Sequence, residues 1–524
     1  MTHKTRLIAL FLSAGLGGFG PVFAQSEGAQ DTPLSAIEWL HENPDMFVPV
    51  AQPPDKARRK EPPVGQNLTT PDVTVTPLDA VTRKRIGLLP FDITGLPPGL
   101  WRDSTAKALD SALKSARSQR LPIGQELLLS VLLAEADDLA PGSDPIAWQL
   151  ARIDALIDTG AVDPAHALIL QTDPSKGARR FTRWMDLALL TRSEAQACAA
   201  AASQPSLAPN AVTRIYCTAR LGDVDTAALL FGTTAALGDF SPLDEALLAR
   251  FLDPDLFEDT PLPRAGVRPS ALTFRLFEAA GARLSTQRLP LAFAHTDLSG
   301  EAGWKAQLEA AERLARAGVM SSNQLLGLYT DRKPAASGGI WDRVQAVQVF
   351  ERALRMPGAK DLDTALPALW RSMQAAGLEV VFSDLFADAL TERPLGPSAA
   401  NIAFRMQLLS QRYEAALPRD ATDQSALFLT TLAAGQPDIT LASTDMARAV
   451  AGALSASAKV SQDLIGLTPG QTGMAVLKVL ARLSAAGRGD VAALSQALTD
   501  LRALGLEDAA RRAGLQALIL LDRG

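Results

Sequence analysis

Ala219-Arg-Leu-Gly222-Asp223-Val-Asp225-Thr-Ala227-Ala228 reads as the end of one helix, a glycine turn, an acidic cap and the start of the next helix. Glycine just past a helix end accepts the left-handed conformation that closes the last turn. An aspartate directly after it can take the first free N–H groups of the following helix. Ala486-Gly-Arg-Gly489-Asp490-Val-Ala492-Ala493 has the same order of parts. Gly160-Ala-Val-Asp163-Pro164 is a third case, with Asp163 read as the cap and Pro164 as the first helical residue. Helix, tight turn, cap, helix is the pattern of stacked helical hairpins.

Outward from these turns the helical pattern continues. Glycines at 160, 222, 281, 318, 377, 435 and 487 are read as helix stops, at intervals of 62, 59, 37, 59, 58 and 52 residues. No strict 34-residue period appears. Trp304, Leu308, Ala311 and Ala315 fall on one helical face, and Glu309–Arg313 and Glu312–Arg316 fall on the other as i,i+4 pairs. Alanine and leucine dominate and β-branched runs are few, which favours helix nearly throughout. The loop Asp253–Arg268, with Pro254, Pro261 and Pro263, is the best internal boundary. The last apolar helix is expected over Glu507–Leu521.

The N-terminus has a different character. Lys4 and Arg6 precede the apolar run Leu7–Leu12, Gly17, Gly18, Gly20 and Pro21 break it, and Val22-Phe23-Ala24 offers a signal-peptidase site. This three-part order predicts a cleavable signal over residues 1–24 and a periplasmic or secreted location after cleavage near Ala24. No later stretch reaches the length of uncharged apolar residues that a spanning helix needs. Residues 25–100 are proline-dense and predict a largely disordered leader. Within it Ser35 and Glu38 form a capping box, and Ile37, Trp39 and Leu40 make a candidate docking helix. Ile86–Trp101 is apolar enough to lie as an extended strip on the first helices. The expected division is therefore 1–24, 25–100, a helical-hairpin region over 101–253 and a second helical region over 254–524.

Charge and composition exclude several classes. The chain of 524 residues has 51 Lys+Arg against 57 Asp+Glu, a net −6, or −8 without Lys4 and Arg6. That opposes a general nucleic-acid binder. Aromatic residues are 5%, too few to pave a carbohydrate cleft. Cys198 and Cys217 are predicted to form a disulfide between antiparallel helices, given the exported location. Lys176, Arg179, Arg180 and Arg183 occupy i, i+3, i+4 and i+7 of one predicted helix, beside Trp184. They are the candidate site for an anionic partner such as a cell-wall carboxylate, a lipid phosphate or an acidic peptide.

Catalytic motifs fail on context. Gly15-Leu-Gly17-Gly-Phe-Gly20 matches a dinucleotide fingerprint but lies in the signal and follows no strand. Ser111-Ala-Leu-Lys114 matches S-x-x-K without the S-D-N and K-T-G partners that a penicillin-recognising enzyme needs. His41, His166 and His295 form no metal trio. No catalytic residue, metal or cofactor is expected.

The two glycine–aspartate hairpin stretches around Gly222 and Gly489 resemble the turns of tetratricopeptide-like repeats. That resemblance covers short pieces only. It implies an irregular α-solenoid, a fold that binds proteins or peptides along a concave face. In its N-terminal organisation and alanine content the chain is also similar to bacterial exported proteins labelled "antifreeze glycopeptide polyprotein", although it has no Ala-Ala-Thr tandem. The expectation is an all-α scaffold or adaptor of the cell envelope, binding envelope proteins or peptides, or an anionic polymer such as peptidoglycan. The alternatives are a peptidoglycan-acting enzyme on a helical scaffold and a structural subunit of an envelope assembly.

Overall fold

The first described residues pack on the body as the sequence suggests, but they are not extended throughout, because Phe91–Thr94 form a helical turn and turns follow from residue 98. In the computed structural model, residues 85–140, 142–257, 260–356, 358–418 and 422–521 are described. Contacts divide the chain into Met1–Ala80 and Val81–Gly524, and the fold below belongs to the second unit. The expected signal and the Ile37, Trp39, Leu40 helix lie outside the described residues. Ile86 pairs with Ala136 and Leu89 with Ala134 as isolated bridges. Arg152, buried beneath them, donates to the carbonyls of Leu132 (2.9 and 2.7 Å), Ala134 (3.0 Å) and Ile86 (3.1 Å). One guanidinium fork thus satisfies carbonyls at the end of a helix and on the strip at once. Burial pushes its pKa down to about 10, against the pull of Asp138. The sequence assigns residues up to 100 to the leader; the described body begins at Arg85 because this strip is hydrogen-bonded into it.

Twenty-one α-helices of nine residues or more follow among the described residues. They are α1 (Ala106–Ala116), α2 (Pro122–Leu133), α3 (Pro145–Asp158), α4 (Val162–Leu170), α5 (Ala178–Thr191), α6 (Ala195–Ser203) and α7 (Ala211–Arg220). Next come α8 (Val224–Leu237), α9 (Pro242–Leu252), α10 (Ala271–Ala279), α11 (Trp304–Arg316), α12 (Ser322–Thr330), α13 (Ile340–Arg355) and α14 (Ala359–Ala376). The last are α15 (Glu379–Thr391), α16 (Pro397–Leu409), α17 (Gln424–Ala433), α18 (Asp445–Ala453), α19 (Thr472–Ala486), α20 (Val491–Ala503) and α21 (Glu507–Gln516). No strand is present among the described residues. No helix among them is long and apolar enough to cross a membrane.

The chain caps its helices much as the sequence predicts. Asp223 accepts from the N–H of Thr226 at 3.1 Å, Asp490 from Ala493 at 2.9 Å and Asn210 from Thr213 at 2.9 Å. At Gly160 the structure differs from the expected cap. The helix begins at Val162, so Asp163 lies inside its first turn, where an acid suits the helix dipole without capping.

Successive helices pack on one another, and the two ends of the described body then meet. An ideal solenoid repeat touches only its neighbours. Here α1 and α2 pack on α19, and α2 packs on α21. Trp101 stands edge-on to Trp148 at 4.7 Å and covers Gly473, where any Cβ would collide with its ring. Gly473 N–H donates to Leu100 O at 2.9 Å, and Asp103 N–H donates to Gly470 O at 2.9 Å. Gln119 donates to Leu480 O (2.7 Å), Ser484 to Ser118 O (2.8 Å) and Ile123 N–H to Gln516 Oε1 (2.9 Å). Arg512 clasps Glu126 through two bonds of 3.0 and 2.7 Å.

Nor does the loop after Asp253 separate two bodies. Beyond it, α10 packs back on α5 as well as on α9.

Candidate interaction surface

The helix α8 has the composition of a core element and the burial of a surface one. Ala and Leu supply helix propensity, Asp223 caps the start, and Gly238 (φ 72°) closes the end by donating to the carbonyls of Ala235 and Thr234. Of its fourteen residues only Ala227 is buried. Leu230 and Phe231 turn inward, with Phe231 stacked on Phe240 at 5.4 Å. The opposite face carries Ala228, Leu229, Gly232, Thr233, Ala236 and Leu237, all exposed. Spacings of three and four residues put these six on one side of the helix. Leu229 is 71% and Leu237 70% exposed. A helix that is apolar all round is normally buried, and each fully exposed leucine forgoes about 1.5–3 kcal/mol of burial.

The neighbouring surface shares this character. Of fourteen exposed large hydrophobic residues among those described, six fall between Leu221 and Val267. The exposed apolar side of α8 is surface of the kind that marks contact sites. The spur that carries it, α6 to α9, is tied down on its inner side. Cys198 of α6 and Cys217 of α7 form a disulfide with Cα atoms 4.8 Å apart. Buried Glu194 accepts from Tyr216 Oη at 3.0 Å and from Arg220 at 3.1 Å. Burial, with the Glu194 charge beside it, pushes the Tyr216 hydroxyl up to about 12.

The basic residues singled out in the sequence lie elsewhere. Lys176 sits in a 3₁₀ turn, Pro174–Lys176, and α5 begins only after Gly177, so the four do not share one helix. Each is engaged within the fold. Lys176 reaches Asp173 (3.3 Å), Arg179 reaches Asp144 (3.7 Å), Arg180 donates to Thr172 O (2.9 Å) and Arg183 clasps Asp154 (3.0 and 3.1 Å). Trp184 is buried in the core.

One group of carboxylates, Glu194, Glu278, Asp297 and Glu301, surrounds Arg192, Arg275 and Arg283. Another lies where the ends of the body meet. Arg512 lies between Glu126 and Asp508, at 2.7 and 3.6 Å. Asp384 of α15 is raised to about 6, first by burial and then by the Glu126 charge, with Arg512 opposing. Tyr413 Oη donates to Asp508 at 2.8 Å, and burial with that bond raises its pKa. Arg512 therefore balances the charge of the group as a clasp between α2 and α21.

Neither of the two adjoining grooves that share Leu395 and Phe404, about 340 and 620 Å³, is lined by these carboxylates. The smaller is walled mainly by Ala, Leu and Phe side chains of α15 and α16, with exposed Leu417 at one rim, and the larger adds Pro397, Asn401, Pro418, Asp423 and Ala426. Among the described residues no cluster of three His, Cys, Asp or Glu side chains is placed to hold a metal ion.

The sequence reading missed the α8 face. Its signal was present: thirteen residues from Thr226 to Gly238 without a charge, apolar on every side of the helix. No family model matches this chain, and no curated protein or solved structure matches it.

Proposed function

We propose that this chain is a protein-interaction scaffold of the cell envelope, with α8 as its principal contact face. The observation that carries the proposal is the exposure of Leu229 and Leu237 on a helix with a single buried residue. A face like this is stable in solution only at a cost in unrealised burial, and a partner that covers it recovers that cost. The disulfide supports the envelope assignment, because such bridges persist in oxidising compartments. The signal-like pattern of residues 1–24 points the same way.

The test is capture of envelope proteins by the full chain, compared with capture by a Leu229→Ser/Leu237→Ser variant of unchanged helicity. The scaffold reading expects defined envelope proteins with the first and their loss with the second. Equal capture by both removes α8 from the account. Release of soluble fragments from peptidoglycan by purified protein, with no captured partner, would replace the scaffold with an enzyme.

A further inference from the structure

Resting on the contact face just described, we infer that α8 takes a cationic amphipathic helix from a partner protein: an apolar stripe with Lys or Arg at both ends. The charge around α8 decides the chemistry. Residues 221–260 contain nine Asp or Glu and one Arg, a net −8, whereas the whole chain is −6. Asp223 and Asp225 stand at the N-terminal end of the face, Asp239 follows its C-terminal end, and Asp244 and Glu245 come directly after. No ion pair among the described residues engages any of the five. The one cation of the segment, Arg250, is spent on the carbonyls of Phe257 and Thr260. Elsewhere the fold pairs its charges closely, as at Arg183–Asp154 and Arg512–Glu126.

Capping explains part of this rim. Asp223 holds the first turn of α8, and acids at 225, 244 and 245 suit helix N-termini. Asp239 lies in the link between the two helices, after Gly238 closes α8 and before Ser241 caps α9, and it caps neither.

The rim also selects among occupants. A second copy of this face would bring acidic ends together in either orientation, parallel or antiparallel. An anionic lipid surface would be repelled. A helix with cationic ends pairs with both rims while its apolar stripe covers Leu229, Gly232, Thr233 and Leu237. Gly232 and the alanines at 228 and 236 leave room for close approach of a second backbone, the groove that helix recognition uses.

The experiment uses three probes on the full chain. They are an 18-residue helix of Leu and Lys with its charges at both ends, its Leu/Glu counterpart, and phosphatidylglycerol vesicles. The expected result is binding of the Leu/Lys helix alone. Affinity should fall about 10-fold or more in Leu229→Ser/Leu237→Ser. In Asp225→Asn/Asp239→Asn/Glu245→Gln it should fall about 3- to 10-fold, with a weaker salt dependence. Asp223 is left intact because it caps α8. Gly232→Lys, which puts a cation in the middle of the same exposed face, should also abolish binding, so the test does not hang on one variant.

Binding of the Leu/Lys helix that survives the serine changes would mean generic attraction to an acidic protein, and the inference fails. Equal or better binding of the Leu/Glu helix, or binding to the vesicles, overturns the partner's charge or class. In either case the contact-face reading stands or falls separately, on the envelope capture.

Discussion

The seam where α1 and α2 meet α19 and α21 and the spur of α6 to α9 solve opposite problems. The seam joins segments more than 360 residues apart, such as Gln119 with Leu480 and Ile123 with Gln516. It does so with a tryptophan laid on a glycine, backbone hydrogen bonds and an arginine clasp. The spur joins helices adjacent in sequence and adds a covalent bridge. The seam hides its apolar residues and the spur shows them. The seam holds the body together through packing specific to this chain. The spur rests on local structure and a staple, which leaves its outer face free of any structural duty.

The largest effect should come from the seam. Trp101→Ala removes a buried ring between Trp148 and Gly473 and should destabilise the protein by about 3–5 kcal/mol in urea unfolding. Gly473→Ala forces that ring aside and should cost about 1–3 kcal/mol. A loss below 1 kcal/mol from the tryptophan change would mean that the ends contribute little and that the body behaves as an open array.

Next comes the staple. Replacing Cys198 and Cys217 with serine opens a loop of 19 residues' separation, worth about 3 kcal/mol in the chain-entropy model. The loss should be local. Amide exchange should accelerate in α6 to α9 while α1, α2, α19 and α21 keep their protection. Uniform acceleration across both regions would erase the distinction between them.

A pH series sharpens the contrast within the seam. Asp384 is raised from 3.8 to about 6 by burial, with Arg512 opposing and Glu126 adding to it. Asp186 of α5 is likewise raised to about 6, by burial first, with Arg183 opposing and Asp154 adding. Each folded carboxyl keeps its proton over a range where the unfolded chain has lost it. These two groups therefore stabilise the fold as pH falls from about 7 towards 4 and weigh against it above 6. Asp384 is exposed at the surface, so solvent screening leaves under about 1 kcal/mol for this shift. Asp384→Asn should raise stability at pH 7 by under about 1 kcal/mol and reduce the slope between pH 4 and 7. Asp137, held low by Arg102 and Arg85, and Asp463, held low by Ser461, Arg482 and Lys478, lose their contribution only below that window. An unchanged slope in the asparagine variant would place the titrating group elsewhere.

What the sequence reveals follows the same division. Local signals are legible: the Asp223 and Asp490 caps, the glycine turn at 222 and the pairing of Cys198 with Cys217 all depend on residues close in the chain. The stop expected at Gly487 shows the limit of such reading. Gly487 takes a right-handed conformation at the end of α19, and the left-handed turn falls at Gly489 (φ 99°).

Charges mislead once they are buried. The pair expected between Glu312 and Arg316 does not form. Glu312 is buried, accepts from Tyr329 Oη at 2.6 Å and takes both arms of Arg343 at 2.7 Å, while Arg316 donates to Ala376 O at 2.7 Å. A surface i,i+4 pair contributes only a few tenths of a kcal/mol. A desolvated carboxylate needs several bonds at once and finds them on other helices. The seam is illegible for a related reason: nothing near Gly473 in sequence announces Trp101.

The smallest expected effect is the most informative about the spur. Leu229→Ser/Leu237→Ser changes two large apolar side chains, which inside the seam would cost several kcal/mol. On α8 both leucines face outward, so the stability of the isolated protein should move by no more than about 0.5 kcal/mol. A near-zero effect on urea unfolding, together with loss of binding, separates a face kept for a partner from one that serves the fold. A loss of 2 kcal/mol or more would instead mean that the leucines are covered within the protein itself. The asymmetry between seam and spur would then be one of position in the chain and not of purpose.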